Sequence, residues 1–244
     1  MKKIEIAVPA EKDYKYNEAI KTLRTNVLFS GSSLKTILIT STAPDEGKSS
    51  ISWDLALAFA EAGKKILYID ADIRKSVFLQ RHNMHAKVVG LSEILSGQAE
   101  IADGIYETSI PNLCMIFAGP YTPNPTELFE DKNCDALFEM IQQDGLFDYI
   151  IIDSSPLGTV IDAAVLARHA DGIAVVVESE VTSRKLLARV SQQIDKTGIR
   201  HLGVILNKVR MDKGSYYNSY YYGYGKKYGS KYYSSYYGEH KKEK

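Results

Sequence analysis

The sequence predicts an α/β fold, a three-layer sandwich around a mostly parallel central sheet. Short uninterrupted apolar runs recur along the chain, TILIT at 36–40 and YIIID at 149–153 among them. Runs without polar alternation belong to strands buried on both faces, as parallel strands are. Between the runs lie stretches with helical spacing, so strands and helices alternate as βαβ units with right-handed crossovers. A third observation locates the chemistry. Three strands run straight into polar motifs, and ligands of open α/β sheets bind beyond the carboxyl ends of the strands.

The elements follow in order. Tyr14–Leu28 forms a separate N-terminal helix ahead of the sheet. Thr36–Thr40 is the first buried strand, and a helix runs from Lys48 to about Ala62. Ile66–Asp70 (ILYID) is a second strand and Leu113–Phe117 (LCMIF) a weaker one. Leu128, Phe129, Leu137, Phe138 and Ile141 give 126–143 the spacing of one helix. Tyr149–Asp153 is a strong strand, Ile161–His169 a short helix, Ile173–Val177 (IAVVV) a strand, Thr182–Thr197 a helix and Leu202–Leu206 (LGVIL) the final strand.

After that the chain changes character. From Ser215 to Gly238 it holds almost nothing but Tyr, Gly, Ser, Lys and Asn, with tyrosines at Tyr216, Tyr217, Tyr220, Tyr221, Tyr222, Tyr224, Tyr228, Tyr232, Tyr233, Tyr236 and Tyr237. With no aliphatic side chain and no helical or strand period, this stretch has nothing with which to build a core and is expected to be disordered.

Composition bounds the rest. The chain has 244 residues, of which 45% are apolar, ample for a core. Its net charge is zero but unevenly spread: the segment from Lys208 onward carries +6 and Met1–Asn207 carries −6. A basic tail suits a solvated end; it also suits attraction to anionic partners or to the acidic body of a neighbouring subunit. Cys114 and Cys134 are too few for a disulfide framework and lack metal-site spacing, so they read as reduced thiols. His82 and His85 have no further ligand at zinc-like spacing and read as surface residues. No apolar run approaches the roughly 20 residues of a membrane helix, and the N-terminus lacks the apolar stretch of a signal peptide. A cytoplasmic protein is expected, reaching the inner face of the membrane only through a partner.

The motifs carry the chemistry. Ser41-Thr42-Ala43-Pro44-Asp45-Glu46-Gly47-Lys48-Ser49-Ser50 follows a strand and opens a helix, the setting a P-loop requires. Backbone amides of this loop and of the helix N-terminus would cradle phosphates, Lys48 would neutralise β/γ-phosphate charge, and Ser49 would hold Mg²⁺. Thr42 stands where the general pattern has its first glycine. Asp70 and Asp72 lie two apart just past a buried strand, so an extended backbone points both to one side. Asp153 ends another buried strand, the Walker B arrangement for Mg²⁺. Either acidic segment alone is compatible with a strand terminus or a helix cap; with the P-loop they form one set.

Taken in this order, the motifs resemble those of the bacterial protein-tyrosine kinases of capsule and exopolysaccharide loci. These sit within the wider P-loop ATPase group that includes the septum-site and plasmid-partition ATPases. The resemblance spans Glu18 to the tail and includes Ser-x-x-Pro-x-x-Gly-Lys-Ser (41–49), Asp-x-Asp-x-Arg (70–74), Gly119 with Pro123-Asn124-Pro125-Thr126-Glu127-Leu128, and the terminal tyrosine cluster. The soluble form without fused membrane helices is similar to that of Gram-positive bacteria. The resemblance implies ATP and Mg²⁺ as cofactors. Thr42 to Ser50 bind ATP phosphates, with Lys48 and Asp72 in the catalytic set; Ser49, Asp72 and Asp153 organise the metal; Asp70 is the base for the tyrosine proton; and Asn207 contacts adenine. Glu18, Lys21 and Arg24 align with a Glu-x-x-Arg-x-x-Arg subunit-contact motif, with Lys21 a departure from it, and imply a homo-oligomer, possible as a ring. The implied division is an N-terminal segment at 1–30 with an oligomerisation helix, a kinase domain at 31–210 and a tyrosine-rich tail at 211–244. The implied partners are a membrane-anchored activator and a phosphotyrosine phosphatase, with no nucleic acid.

Three functions compete. The first is a kinase that phosphorylates its own tyrosine-rich tail in trans and regulates polysaccharide synthesis. The second is a partition-type ATPase switch, disfavoured because Ala43 stands where those ATPases carry their signature lysine. The third is a nucleotide-dependent adaptor of a membrane complex. No His-Arg-Asp, Asp-Phe-Gly or Val-Ala-Ile-Lys segment of a eukaryotic-type kinase is present.

Overall fold

A computed structural model describes residues 2–7, 13–84, 86–143 and 145–210. The tyrosine cluster lies outside the described residues, as does His85. The elements in chain order are β1 (Lys2–Ile4), α1 (Tyr14–Phe29), β2 (Thr36–Ser41), α2 (Lys48–Glu61), β3 (Ile66–Asp70), α3 (Phe78–Arg81), α4 (Leu91–Leu95), α5 (Ile101–Gly104), β4 (Tyr106–Thr108), β5 (Leu113–Ile116), α6 (Pro125–Glu130), α7 (Lys132–Ile141), β6 (Tyr149–Asp153), α8 (Asp162–Leu166), a 3₁₀ turn (Ala167–His169), β7 (Gly172–Glu178), α9 (Arg184–Thr197) and β8 (His201–Asn207).

The strands form one eight-stranded sheet in the order β1-β4-β5-β3-β6-β2-β7-β8. All neighbours are parallel except β4 and β5. Every residue of β2 is buried, as an apolar strand at the centre of a covered sheet must be. Successive side chains of a strand point to opposite faces, and the core divides accordingly. Ile37, Ile39 and Tyr68 pack with Ile20 and Val27 of α1 and Trp53 and Phe59 of α2. Leu38, Leu67 and Ile69 pack with Phe129, Leu137, Leu166 and Val190 from α6 to α9. These are the two outer layers of the sandwich.

The expected single helix at 126–143 is two. Asp131 takes an extended conformation (φ −73°, ψ 152°) that ends α6, and its carboxylate caps α7 by accepting the Asn133 amide at 2.9 Å. Aspartate competes for backbone donors in this way, and the apolar spacing continues across the break because both helices pack on the same core. The helix expected from Ile161 is shorter, with its end tightened into the 3₁₀ turn. His82 is half-buried rather than at the surface, stacked on Phe78 with ring centroids 4.1 Å apart. Two strands and three short helices were not expected. β1 and β4 have three residues each, too few to display a period, and β1 exists through pairing of Lys2 to Ile4 with Tyr106 to Thr108.

Candidate active site

The central strands deliver their termini to one rim. β3 and β6 are in register, so Asp70 is paired with Asp153, and β2 beside β6 launches the loop that leads into α2. Gly47 caps α2 with φ +93°, a left-handed conformation that glycine adopts without strain. The first-turn amides of a helix have no carbonyl four residues back, so α2 offers phosphates a set of donors and the positive end of its dipole.

Lys48 stands at the centre. Its Nζ donates to Asp72 Oδ2 at 3.0 Å and to Ser49 Oγ at 3.1 Å, and lies 3.8 Å from Asp153 Oδ1. Burial alone would discharge this lysine; the charges of Asp153 and Asp72 outweigh it and raise its pKa. Asp72 is opposed by burial, yet the Lys48 charge and hydrogen bonds from Lys48 and Ser155 hold its carboxyl below the usual range. Ser155 Oγ donates to Asp72 Oδ1 at 2.8 Å. Asp70 is 3% exposed, and burial with the Asp153 charge pushes it up to about 7. Its Oδ2 accepts the Ser76 hydroxyl, while Oδ1 holds only a long 3.3 Å bond from the Asp72 amide. Asp153 is raised chiefly by burial.

The oxygens of Ser49, Asp72 and Asp153 suit Mg²⁺. Asp153 Oδ1 is buried without a hydrogen-bond partner among the described residues, an acceptor that a hard cation would satisfy. Among the described residues no group of three or more His, Cys, Asp or Glu side chains could hold a metal alone. Mg²⁺ takes one or two carboxylates and completes its shell with substrate phosphates and water. A small pocket opens here, lined by Ser49, Asp70, Asp72, Asp153 and the segment Lys75 to Phe78 with Arg81.

The P-loop is braced from within. Glu46 turns inward, 4% exposed. Its carboxylate accepts the Thr42 amide and hydroxyl at 2.6 Å, the Ala43 amide at 2.8 Å, and the Thr182 hydroxyl. Asn207 Nδ2 donates to the Glu46 carbonyl at 2.9 Å. Pro44 and Asp45 form the turn between, with Asp45 left-handed at φ +64°, and Ser50 Oγ accepts from Arg81 at 3.1 Å. On the far side Gly158 abuts the loop so closely that a Cβ there would stand 1.9 Å from the Thr42 carbonyl oxygen.

Arg74 leaves the cluster. Its Nε and Nη2 grip the fully buried Asp162 at 2.5 and 2.9 Å, and Nη2 also donates to Thr126 Oγ1 at 3.2 Å. The loop carrying Asp70 and Asp72 is thereby tied to α6 and α8. Sequence reasoning missed Glu46 as a strut, Ser76, Ser155, Gly158, Asp162 and Thr182. Ser155 had a signal, lying two residues past the strand that ends in Asp153. Glu18, Lys21 and Arg24 sit on α1, away from this rim. Glu18 and Lys21 pair at 2.8 Å, and Arg24 Nη1 donates to the Ala58 carbonyl of α2 at 2.8 Å.

An AAA-domain family model matches residues 34–202. The tyrosine-protein kinase CpsD of Streptococcus pneumoniae serotype 4 is 40% identical over 215 residues, covering 88% of this chain and 91% of that one. The crystal structure of the chimerical protein CapA2B2 superposes with a TM-score of 0.73 at 34% identity, over 79% of this chain and 84% of that one. The kinase domain of the Escherichia coli tyrosine kinase ETK gives a TM-score of 0.75 at 30% identity, over 82% and 78%. With the motif-bearing strand ends converging on one rim and this likeness along most of its length, the chain belongs to the bacterial tyrosine-protein kinases built on a P-loop AAA domain.

Proposed function

We propose that the protein transfers the γ-phosphoryl group of ATP to tyrosine hydroxyls, its own C-terminal tyrosines first among them, in trans between subunits, and so regulates capsular or exopolysaccharide synthesis. The observation that carries this is the convergence of Lys48, Asp70, Asp72 and Asp153 at one sheet rim. The P-loop amides and α2 N-terminus receive the ATP phosphates, and Lys48, held charged, neutralises the β/γ oxygens. Mg²⁺, when bound by Ser49, Asp72 and Asp153, supplies further charge neutralisation to the phosphates. A tyrosine hydroxyl, with a pKa near about 10, is almost wholly protonated at neutral pH. Asp70 is poised as base, and its loosely held Oδ1 takes the proton as the tyrosine oxygen bonds to phosphorus and ADP departs.

The proposal extends to the tail at 211–244 as substrate, α1 with Glu18, Lys21 and Arg24 as a subunit contact, Asn207 beside adenine, and a membrane-anchored activator with a phosphatase that resets the tail. Among the described residues no helix is long and apolar enough to cross a membrane.

Purified protein incubated with Mg-ATP, alone and with the activator's cytoplasmic segment, and probed for phosphotyrosine with residues 211–244 intact or deleted, tests the reading. Phosphotyrosine that disappears with the tail is expected. ADP release without phosphotyrosine favours an ATPase switch, and neither product under either condition favours an adaptor.

A further inference from the structure

Charge at the rim does not balance among the four residues that converge there. Asp70, Asp72 and Asp153 face one lysine, and Lys48 is engaged by two of them, 3.0 Å from Asp72 and 3.8 Å from Asp153. A phosphoryl group in transfer brings more negative charge, spread over its equatorial oxygens. Beside carboxylates that charge is stabilised only where further donors and cations are aimed at it.

Two such cations are at hand. Lys75 and Arg81 line the same small pocket as Ser49, Asp70, Asp72 and Asp153, and both are exposed. Neither forms an ion pair among the described residues. They are held differently. Lys75 is fixed through its backbone amide, which donates to Asp72 Oδ1 at 3.3 Å; its ammonium is a hydrated charge on a flexible stem. Arg81 is fixed at both ends. It closes α3, whose Phe78 is buried and meets Trp53 of α2 edge to face, with ring centroids 4.8 Å apart. Residues three apart share a helix face, so Arg81 leaves α3 on the side that meets α2. There its Nη1 donates to Ser50 Oγ at 3.1 Å, in the first turn of α2 beside Ser49. One donor of a five-donor fork is occupied and the other four remain. The fork is thus anchored at the helix end that receives phosphates, in the pocket that also holds the carboxylate of Asp70.

We propose that Arg81 is a catalytic residue that donates to the equatorial oxygens of the transferring phosphoryl group within its own subunit. The proposal rests on the phosphoryl transfer put forward above. As the tyrosine oxygen bonds to phosphorus, the bond from phosphorus to the ADP oxygen breaks and the tyrosine proton passes to Asp70. The planar guanidinium fork matches the oxygens in flight better than a point charge does. The P-loop amides, Lys48 and Mg²⁺ hold ATP itself, so the share left to Arg81 is the charge that develops during transfer. An interaction of that kind speeds the reaction without tightening substrate binding. The bond to Ser50 sets the fork in place beforehand, so that no reordering is needed at the moment of reaction.

The full chain carrying Arg81→Ala or Arg81→Lys tests this by binding and by rate. Mg-ATP and Mg-ADP with aluminium fluoride, which mimics the phosphoryl group in flight, are each titrated by calorimetry; phosphotyrosine and ADP release are followed separately. Arg81→Ala is expected to weaken the aluminium fluoride complex about 100-fold and to lower kcat by a similar factor. Its affinity for Mg-ATP should stay within about twofold. Arg81→Lys, which keeps the charge and loses the fork, should recover part of both losses. Equal weakening of Mg-ATP and of the analogue makes Arg81 a tie between α3 and α2, or a ground-state nucleotide contact, and overturns the proposal. So does an unchanged kcat. An unmodified protein that releases ADP and needs Arg81 for the analogue, yet forms no phosphotyrosine, overturns the tyrosine-kinase reading and leaves the role of Arg81 standing. Binding of neither Mg-ATP nor the analogue by the unmodified protein overturns both.

Discussion

Burial beside Asp153 lifts the Asp70 carboxyl from its ordinary range to about 7, so its charge opposes folding. A pKa raised in the folded state means that the group's stabilising contribution is fully present below about 4 and is lost as pH rises through 7. Asp70→Asn removes the charge while keeping the shape. The variant is expected to melt above the unsubstituted protein at pH 8, with the gap smaller at pH 5 by roughly 1–3 kcal/mol, as read by thermal unfolding at each pH. The same variant should label poorly with phosphotyrosine yet bind nucleotide normally; full labelling would remove Asp70 from the role of base. Lys48→Met takes away the charge that both Asp72 and Asp153 face. It is expected to abolish labelling and to weaken ATP binding about 100-fold, the scale of a lost charge-assisted contact of 2–3 kcal/mol. Titration calorimetry with Mg-ATP measures it.

Among elements, the P-loop depends on neighbours distant in sequence. Thr40 Oγ1 donates to the Ser155 carbonyl at 2.8 Å and accepts the Leu157 amide at 3.1 Å, which carries Gly158 against Thr42. Gly158→Ala forces its Cβ into a backbone carbonyl, and backbone cannot give way as a flexible side chain does. The expected cost is about 2 kcal/mol, or roughly 4–8 °C in Tm, with a tenfold or greater loss of ATP affinity. Retained affinity would show that the loop shifts without consequence. On the other face, α1 is held to α2 partly by Arg24, whose guanidinium donates to the Ala58 carbonyl. Arg24→Ala is therefore expected to lower Tm by about 2–4 °C even at dilutions where no oligomer forms, a loss of about 1 kcal/mol. An effect seen only at high concentration would place Arg24 wholly at a subunit contact.

For the whole molecule, charge is the organising quantity. The residues up to Asn207 carry −6 and those beyond carry +6. Each tyrosine phosphate adds roughly −1.5 to −2, so on the proposed function a few phosphorylations would reverse the tail and turn any attraction between neighbouring subunits into repulsion. If the chain assembles through that attraction, the proposed homo-oligomer is expected to fall in mass on phosphorylation. Light scattering before and after incubation with Mg-ATP reads this directly, and an unchanged mass would rule out charge reversal as the release mechanism. The effect should weaken at high salt, where the Debye length shrinks to about 3 Å at 1 M.

By itself the sequence determined the layered α/β fold and the polar strand ends, because a strand buried on both faces has to be written in unbroken apolar residues and its ligand groups have to follow it. Lys48, Asp70, Asp72 and Asp153 were all legible on that ground, as were the main strands. It could not show that Asp131 splits one apolar period into two helices, since both halves face the same core. Nor could it show that Glu46 is turned inward onto Thr42, Ala43 and Thr182, or that Gly158 has no room for a methyl group. The Thr182 and Gly158 contacts depend on which segments the sheet order brings together. Tertiary structure alone decided the contacts of Glu46 with Thr182 and of Gly158 with Thr42, because contacts between residues more than a hundred positions apart leave no period in the chain.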